Sequence, residues 1–390
     1  MTNLLSRMNA IQTPIIPVVA ELIKNSPGTI SLGQGVVYYS PPKEAIEALQ
    51  LFSSNSNNHL YQPVIGISPL LEKLKIKLEK CNRIEINNHN SIVVTAGSNM
   101  AFMNTILAIT SPGDEIILNT PYYFNHEMAI RMADCHPILV ETDPNYQLIP
   151  ETISQAITNK TRAIVTISPN NPTGVVYPAE TLYEINEICR KNSIYHISDE
   201  AYEYFTYNGV EHISPGSFPH SNEYTISLFS LSKTYGFASW RIGYMVIPKH
   251  LLTAIKKVQD TILICPPVVS QYAALGALNS PDNYLKNHLE NLAKVREIVL
   301  KSLQDLGDIC TITLSEGAFY FFIKVHTEME DMTLVKKLIE EYKIAVIPGS
   351  TFGMTNGCYL RVAYGALARE TAQAGIKRLV EGVRKLTIDN

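Results

Sequence analysis

The feature that most constrains this chain is a series of short apolar runs, spaced by helical patterns, between residues 91 and 247. SIVVTAG (91–97), DEIILNT (114–120), PILVE (137–141), RAIVTIS (162–168), IYHIS (194–198), YTISLFS (224–230) and IGYMVI (242–247) are rich in Ile and Val and apolar on both faces. A strand of that kind must be covered on both sides, as in a mostly parallel sheet. The stretches from Asn99 and near 178–192 read as helices. Strand and helix in alternation predict an α/β protein: a mostly parallel central sheet covered by helices.

After Pro281 the pattern changes. Leu285, Leu289, Leu292, Val295 and Val299 recur at helical spacing and predict one long amphipathic helix. CTITLSEG and AFYFFIKV (310–325) read as antiparallel strands, followed by a helix near 331–342, a strand CYLRVAYG (358–365) and a last helix. This predicts a second, smaller α+β domain. The expected division is an N-terminal arm with part of the small domain (1–47), a large domain (48–282) and a small C-terminal domain (283–390). LEKLKIKLEK (71–80) carries a charge run, but its Leu spacing makes it an ordinary helix with a solvated face.

Composition removes several function classes. With 390 residues, 46% of them hydrophobic, the chain can bury a large core. Lys and Arg number 32 against 36 Asp and Glu, so no polyanion-binding face is expected and nucleic acid is excluded as a partner. Cysteines at 81, 135, 189, 265, 310 and 358 form no CxxC pair, which argues against a zinc site and a disulfide framework and fits a reducing compartment. The apolar stretch Ile15 to Ile23 is broken by Pro17 and Glu21, too short to cross a bilayer and unlike a signal peptide. A cytoplasmic protein with no membrane partner is expected.

In open α/β sheets, ligands bind outside the carboxyl ends of the strands. The polar residues that follow the apolar runs are Gly97-Ser98-Asn99, Asn171 in SPNNPTG, Asp199 after IYHIS, and Ser230 and Lys233 after YTISLF. One mouth would thus gather a helix N-terminus, an amide, a carboxylate, a hydroxyl and an amine. GxSxG, GxGxxG and GxxxxGK[ST] are all missing, and no His/Cys/carboxylate cluster has metal-ligand spacing. The set fits pyridoxal 5'-phosphate, which needs a lysine for a Schiff base, an acid facing the pyridine nitrogen and donors for its phosphate.

These residues also carry a family resemblance. SLSKTYGFASWRIGY, SPNNPTG, ISDEAYEYF, VVTAGSNMA and YLRVAYG resemble, in the same order, the signatures of class I/II aminotransferases, the fold-type I pyridoxal phosphate enzymes of the aspartate aminotransferase superfamily. The resemblance implies that Lys233 forms the internal aldimine and shuttles the α-proton, and that Asp199 pairs with the ring nitrogen. It implies that Tyr202 and Asn171 bond the ring's phenolic oxygen. Gly97, Ser98, Asn99, Ser230 and Arg241 would hold the phosphate, and Tyr61 would reach it from the other subunit of a homodimer. Tyr123 would stack on the ring, with Tyr122 the competing choice, while Arg361 and Gly35 would receive the substrate carboxylate. Ordinary roles stand beside these: a turn for Asn171, a helix cap for Asp199, a surface aromatic for Tyr61, a structural ion pair for Arg361.

Two departures concern specificity. Many relatives follow SLGQG with Pro-Asp-Phe, where this chain reads Val36-Val37-Tyr38-Tyr39-Ser40-Pro41-Pro42, and Ser239 replaces a common glycine, a change expected to be local. Tyr38, Tyr39, Tyr123 and Phe319 could form an aromatic-rich pocket for aromatic or large neutral amino acids, or could simply pack. The expected reaction is ping-pong transamination between an L-amino acid and a 2-oxo acid. A carbon–sulfur β-lyase on the same fold remains open from sequence alone, because fold and cofactor do not fix the reaction.

Overall fold

The computed structural model describes residues 6–388, so the first five residues of the expected arm and the last two of the small domain lie outside the described residues. The chain begins with α1 (Ile15–Lys24), β1 (Ile30–Ser31), α2 (Lys43–Ser53) and α3 (Ser68–Lys77). The large sheet and its helices follow: β2 (Asn90–Thr95), α4 (Ser98–Ile109), β3 (Glu115–Thr120), α5 (Phe124–Met132), β4 (His136–Glu141), α6 (Pro150–Gln155), β5 (Thr161–Ile167), α7 (Ala179–Asn192), β6 (Tyr195–Asp199), β7 (Thr225–Ser230), α8 (Leu231–Thr234), β8 (Gly243–Pro248), α9 (Leu252–Leu263) and α10 (Val268–Ala277). The remainder is α11 (Asp282–Gln304), β9 (Cys310–Ile312), β10 (Tyr320–Val325), α12 (Asp331–Tyr342), β11 (Ile344–Ala345), β12 (Ile347–Pro348), β13 (Cys358–Ala363) and α13 (Arg369–Ile388).

Seven strands form the central sheet in the order β2-β8-β7-β6-β5-β3-β4. All neighbours run parallel except β8, which is antiparallel to both β2 and β7. Every residue of β2, β7 and β8 is buried, as strands apolar on both faces require. One face packs on Phe102, Ile106, Ile130 and Ile255 of α4, α5 and α9. Elsewhere α2, α3 and α10 bring Ala45, Leu70, Leu74 and Ala273 onto Ile92, Val94, Phe229 and Tyr244. The helices follow the same logic: α7 buries Leu182, Ile185, Asn186 and Cys189, one stripe at i, i+3, i+4 and i+7, and ends at Ser193 in the left-handed conformation.

A four-stranded antiparallel sheet, β12-β13-β10-β9, and the parallel pair β1-β11 form the smaller body. Its core continues without a break into the large one, because Tyr202 and Phe205 meet Phe319 and Tyr320. The pairing Ile30↔Ile344 carries the N-terminal segment onto this body. That pairing, together with the carboxyl ends of β5, β6 and β7, brings Gly33 and Gly35 beside the residues after those strands. Among the described residues no helix is long and apolar enough to cross a membrane.

Candidate active site

The strand ends converge on a cavity of about 110 Å³ lined by residues from four separate connections: Ser98 and Asn99 after β2, Asn171 after β5, Asp199 and Tyr202 at and after β6, and Ser230, Ser232 and Lys233 after β7. Arg241 joins them because β8 is antiparallel: Gly243 pairs with both Thr95 and Ser230, so the residue entering β8 lies at the same edge. Tyr123, Ile167 and Ala201 complete the wall. Tyr123 therefore faces the cavity, whereas Tyr122 packs against Gly353.

Lys233 lies in the short turn α8, capped by the Ser230 hydroxyl, which accepts from the Ser232 N–H at 3.2 Å. Its ammonium donates to the Gly35 carbonyl at 2.5 Å. Burial, then Arg361 and Arg241, lower its pKa from 10.5 to about 8, against the opposing pull of Asp199. Asp199 is 5% exposed; one oxygen accepts from the Ala201 N–H at 3.1 Å and the other lies 3.1 Å from Nε2 of His126, which stacks on Phe102.

Arg361 is 2% exposed and has no carboxylate partner among the described residues. It donates to Asn171 Oδ1 and to the Gly33 carbonyl, both at 2.8 Å, and its Nε has no partner. Its guanidinium lies 4.6 Å from the centre of the Tyr320 ring. The Tyr320 and Tyr202 hydroxyls are bonded at 2.6 Å, and burial pushes both phenols up, Tyr320 to about 12 and Tyr202 well beyond its ordinary value. Gly97, at φ +83°, precedes α4, and a side chain there would come within 2.5 Å of an Arg241 nitrogen. Glycine is thus what lets the arginine lie along the first turn of a helix whose N–H groups are unpaired.

The sequence reading named the chemistry-bearing residues of this cavity but not His126, Tyr320, Gly33 or the wall residues Ile167 and Ala201. His126 sits on an otherwise unremarked helix, and Tyr320 is hidden in the run AFYFFIKV, where it reads as core. The only available signal for Tyr320 was strand parity, which sets neighbours on opposite sides. Phe319, for which sequence left a substrate pocket and simple packing open, packs in the core on Tyr202 and Phe205. Tyr39 lies under the lysine turn, and Tyr38 packs against α11. Tyr61 is 79% exposed and does not line the cavity of its own chain.

Two cations on the cavity wall, Lys233 and Arg241, and a third behind it, Arg361 bonded to Asn171, face one lining carboxylate and leave positive charge uncompensated. A phosphate at the α4 terminus with Arg241, and a carboxylate at Arg361, would neutralise it, while Lys233 and Asp199 supply the amine and acid that a pyridoxal ring requires. The residues present therefore fit pyridoxal 5'-phosphate, and the fold and site define a fold-type I enzyme of that cofactor. Residues 27–379 match the family Aminotransferase class I and II. The chain is 32% identical to the aromatic aminotransferase ISS1 of Arabidopsis thaliana over 96% of its own length and 94% of that protein's. It is 33% identical to a probable aspartate/prephenate aminotransferase of Aquifex aeolicus, covering 98% of each chain. Superposed on a single mutant of Thermus thermophilus aspartate aminotransferase it gives a TM-score of 0.89 at 29% identity, over 98% of this chain and 100% of that one. The chain belongs to the class I and II aminotransferases, and its reaction is pyridoxal phosphate-dependent transamination.

Proposed function

We propose that this enzyme transfers the amino group of an aromatic or large neutral L-amino acid to a 2-oxo acid, with Lys233 as cofactor-linked amine and proton shuttle. The observation that carries this reading is the pairing of an amine with a lowered pKa and a buried arginine without a counterion at one cavity. When bound, the cofactor supplies an electron sink for charge at the substrate's α-carbon. Lys233 Nζ accepts the α-proton and returns it, a task suited to an amine whose pKa lies near neutrality. Asp199, steadied by His126 and the Ala201 N–H, keeps the ring nitrogen protonated. Arg361 forks onto the substrate carboxylate, with Asn171 and the Gly33 carbonyl fixing its plane and Gly35 alongside. Ser98, Asn99, Ser230 and Arg241 would hold the phosphate, and Tyr123 would lie against the ring.

An aromatic or large neutral substrate leaves the two lining cations, Lys233 and Arg241, to the cofactor. The aromatic aminotransferase among the relatives supports the same class. Tyr61, with exposed Leu60, Leu51 and Ile46 nearby in sequence, would serve the cavity of a second copy in a homodimer. The division into 1–47, 48–282 and 283–390 and a cytoplasmic setting belong to the same reading, the latter suited to six free thiols. Titration of the purified enzyme with amino acids while its visible spectrum is read tests the proposal. Phenylalanine and tyrosine should bleach the chromophore at lower concentration than aspartate, and 2-oxoglutarate or pyruvate should restore it. Bleaching by aspartate alone would overturn the substrate class.

A further inference from the structure

The stretch from Gly35 to Tyr39, which runs into the segment that departs from the family (Val36 to Pro42), contacts Lys233 at both ends. At one end the Gly35 carbonyl receives the ammonium at 2.5 Å. At the other the buried Tyr39 hydroxyl donates to the main-chain carbonyls of Lys233 and Thr234, at 2.9 and 3.3 Å. Those carbonyls end a single turn of helix, which has no following turn to occupy them. Gly236 lets the main chain press in as well: at φ +67° it leaves the Tyr39 carbonyl where a side chain would come within 2.6 Å.

Tyr39 is in turn gripped by α11. Its ring stacks on His288 at 4.0 Å and 13° and meets Tyr284 edge-on. Tyr284 and His288 are one helical turn apart; Tyr284 donates to the Ser40 carbonyl at 2.8 Å, and Tyr38 bonds His288 Nδ1 at 3.4 Å. We propose that Tyr39 is a positioning residue for Lys233, its hydroxyl clamping the lysine turn and its ring tying that turn to α11 through His288. The phenol stays protonated at working pH, because burial drives its pKa far up.

The inference rests on the assignment of Lys233 to the cofactor, but the clamp has a readout independent of it. In cofactor-free protein, trinitrobenzenesulfonate labelling of Lys233 is followed by peptide mass spectrometry. Tyr39→Phe, which keeps the stack and removes the hydroxyl, should raise the Lys233 labelling rate and lower kcat by about tenfold, as expected for one lost hydrogen bond, with the amino-acid KM little changed. His288→Ala should raise labelling in the same direction, and His288→Phe, which restores a flat ring, should return it. A Tyr39→Phe protein that only melts earlier, with labelling and kcat like wild type, overturns the clamp. So does a His288→Ala protein with wild-type labelling, because the tie to α11 would then carry nothing. Wild-type protein that takes up no pyridoxal phosphate counts against the assignment of Lys233, while the labelling still judges the clamp.

Discussion

Two lysines withdrawn from water in this chain live among opposite neighbours. Lys77 Nζ lies 2.6 and 2.5 Å from the two oxygens of Glu203 and 2.8 Å from Asn82 Oδ1. It also faces the rings of Phe229, Tyr204 and Tyr244. Asn82 continues the network to Ser214, and Ser214 and His212 both donate to Glu200. Lys233 has one neutral carbonyl as its hydrogen-bond acceptor, two arginines acting on it and a single carboxylate on the cavity wall. What separates the structural amine from the reactive one is a withheld counterion, because an amine without one gives up its proton more readily.

That contrast can be broken from either side. The largest effect should come from Lys233→Ala, which removes both cofactor linkage and proton shuttle. Transamination should fall by at least about 10⁴-fold in a coupled assay, and retention of turnover would sink the proposed mechanism. Lys77→Met should do the reverse. Stranding Glu203 unpaired costs about 3–5 kcal/mol in denaturant unfolding, with kcat barely altered, and a variant melting with wild type would erase the contrast. Arg361→Met should raise the amino-acid KM by about a hundredfold, the worth of charged hydrogen bonds to a carboxylate.

The smallest effect is the pH dependence of the cofactor-free protein. The folded pKa of Lys233, about 8, lies below its ordinary 10.5. Between those values the unfolded chain holds more protons, so this group makes stability rise with pH across the window. Below pH 8 both states are protonated and the full cost of burying the charge is present, at most about 3 kcal/mol. Lys233→Met should therefore melt above wild type at pH 7, and the gap should close towards pH 10.5. A gap that is constant with pH would mean that the amine is not perturbed.

The large sheet was legible because burial on both faces leaves a mark on composition: the runs ending at Thr95, Ile167, Asp199 and Ser230 could not have been surface strands. The polar residues after them were legible because strand ends are where such a sheet opens. His126 and Tyr320 were not, because each reaches the site through packing between elements distant in sequence, His126 from α5 to Asp199 and Tyr320 from β10 to Tyr202. Tyr39 shows the same limit. The segment departs from the family in sequence, but its target is a main-chain carbonyl, which no side-chain pattern announces.

The antiparallel β8 has a consequence for how the enzyme is made. Because Gly243 closes the edge that begins at Thr95, the half of the cavity proposed to hold the phosphate is incomplete until β8 has left the ribosome. Arg361 joins later still, reaching back across 328 residues to Gly33. In order of synthesis the elements proposed to cradle the cofactor are therefore complete before the arginine proposed to grip substrate, and the longest loop closure of the site is available last.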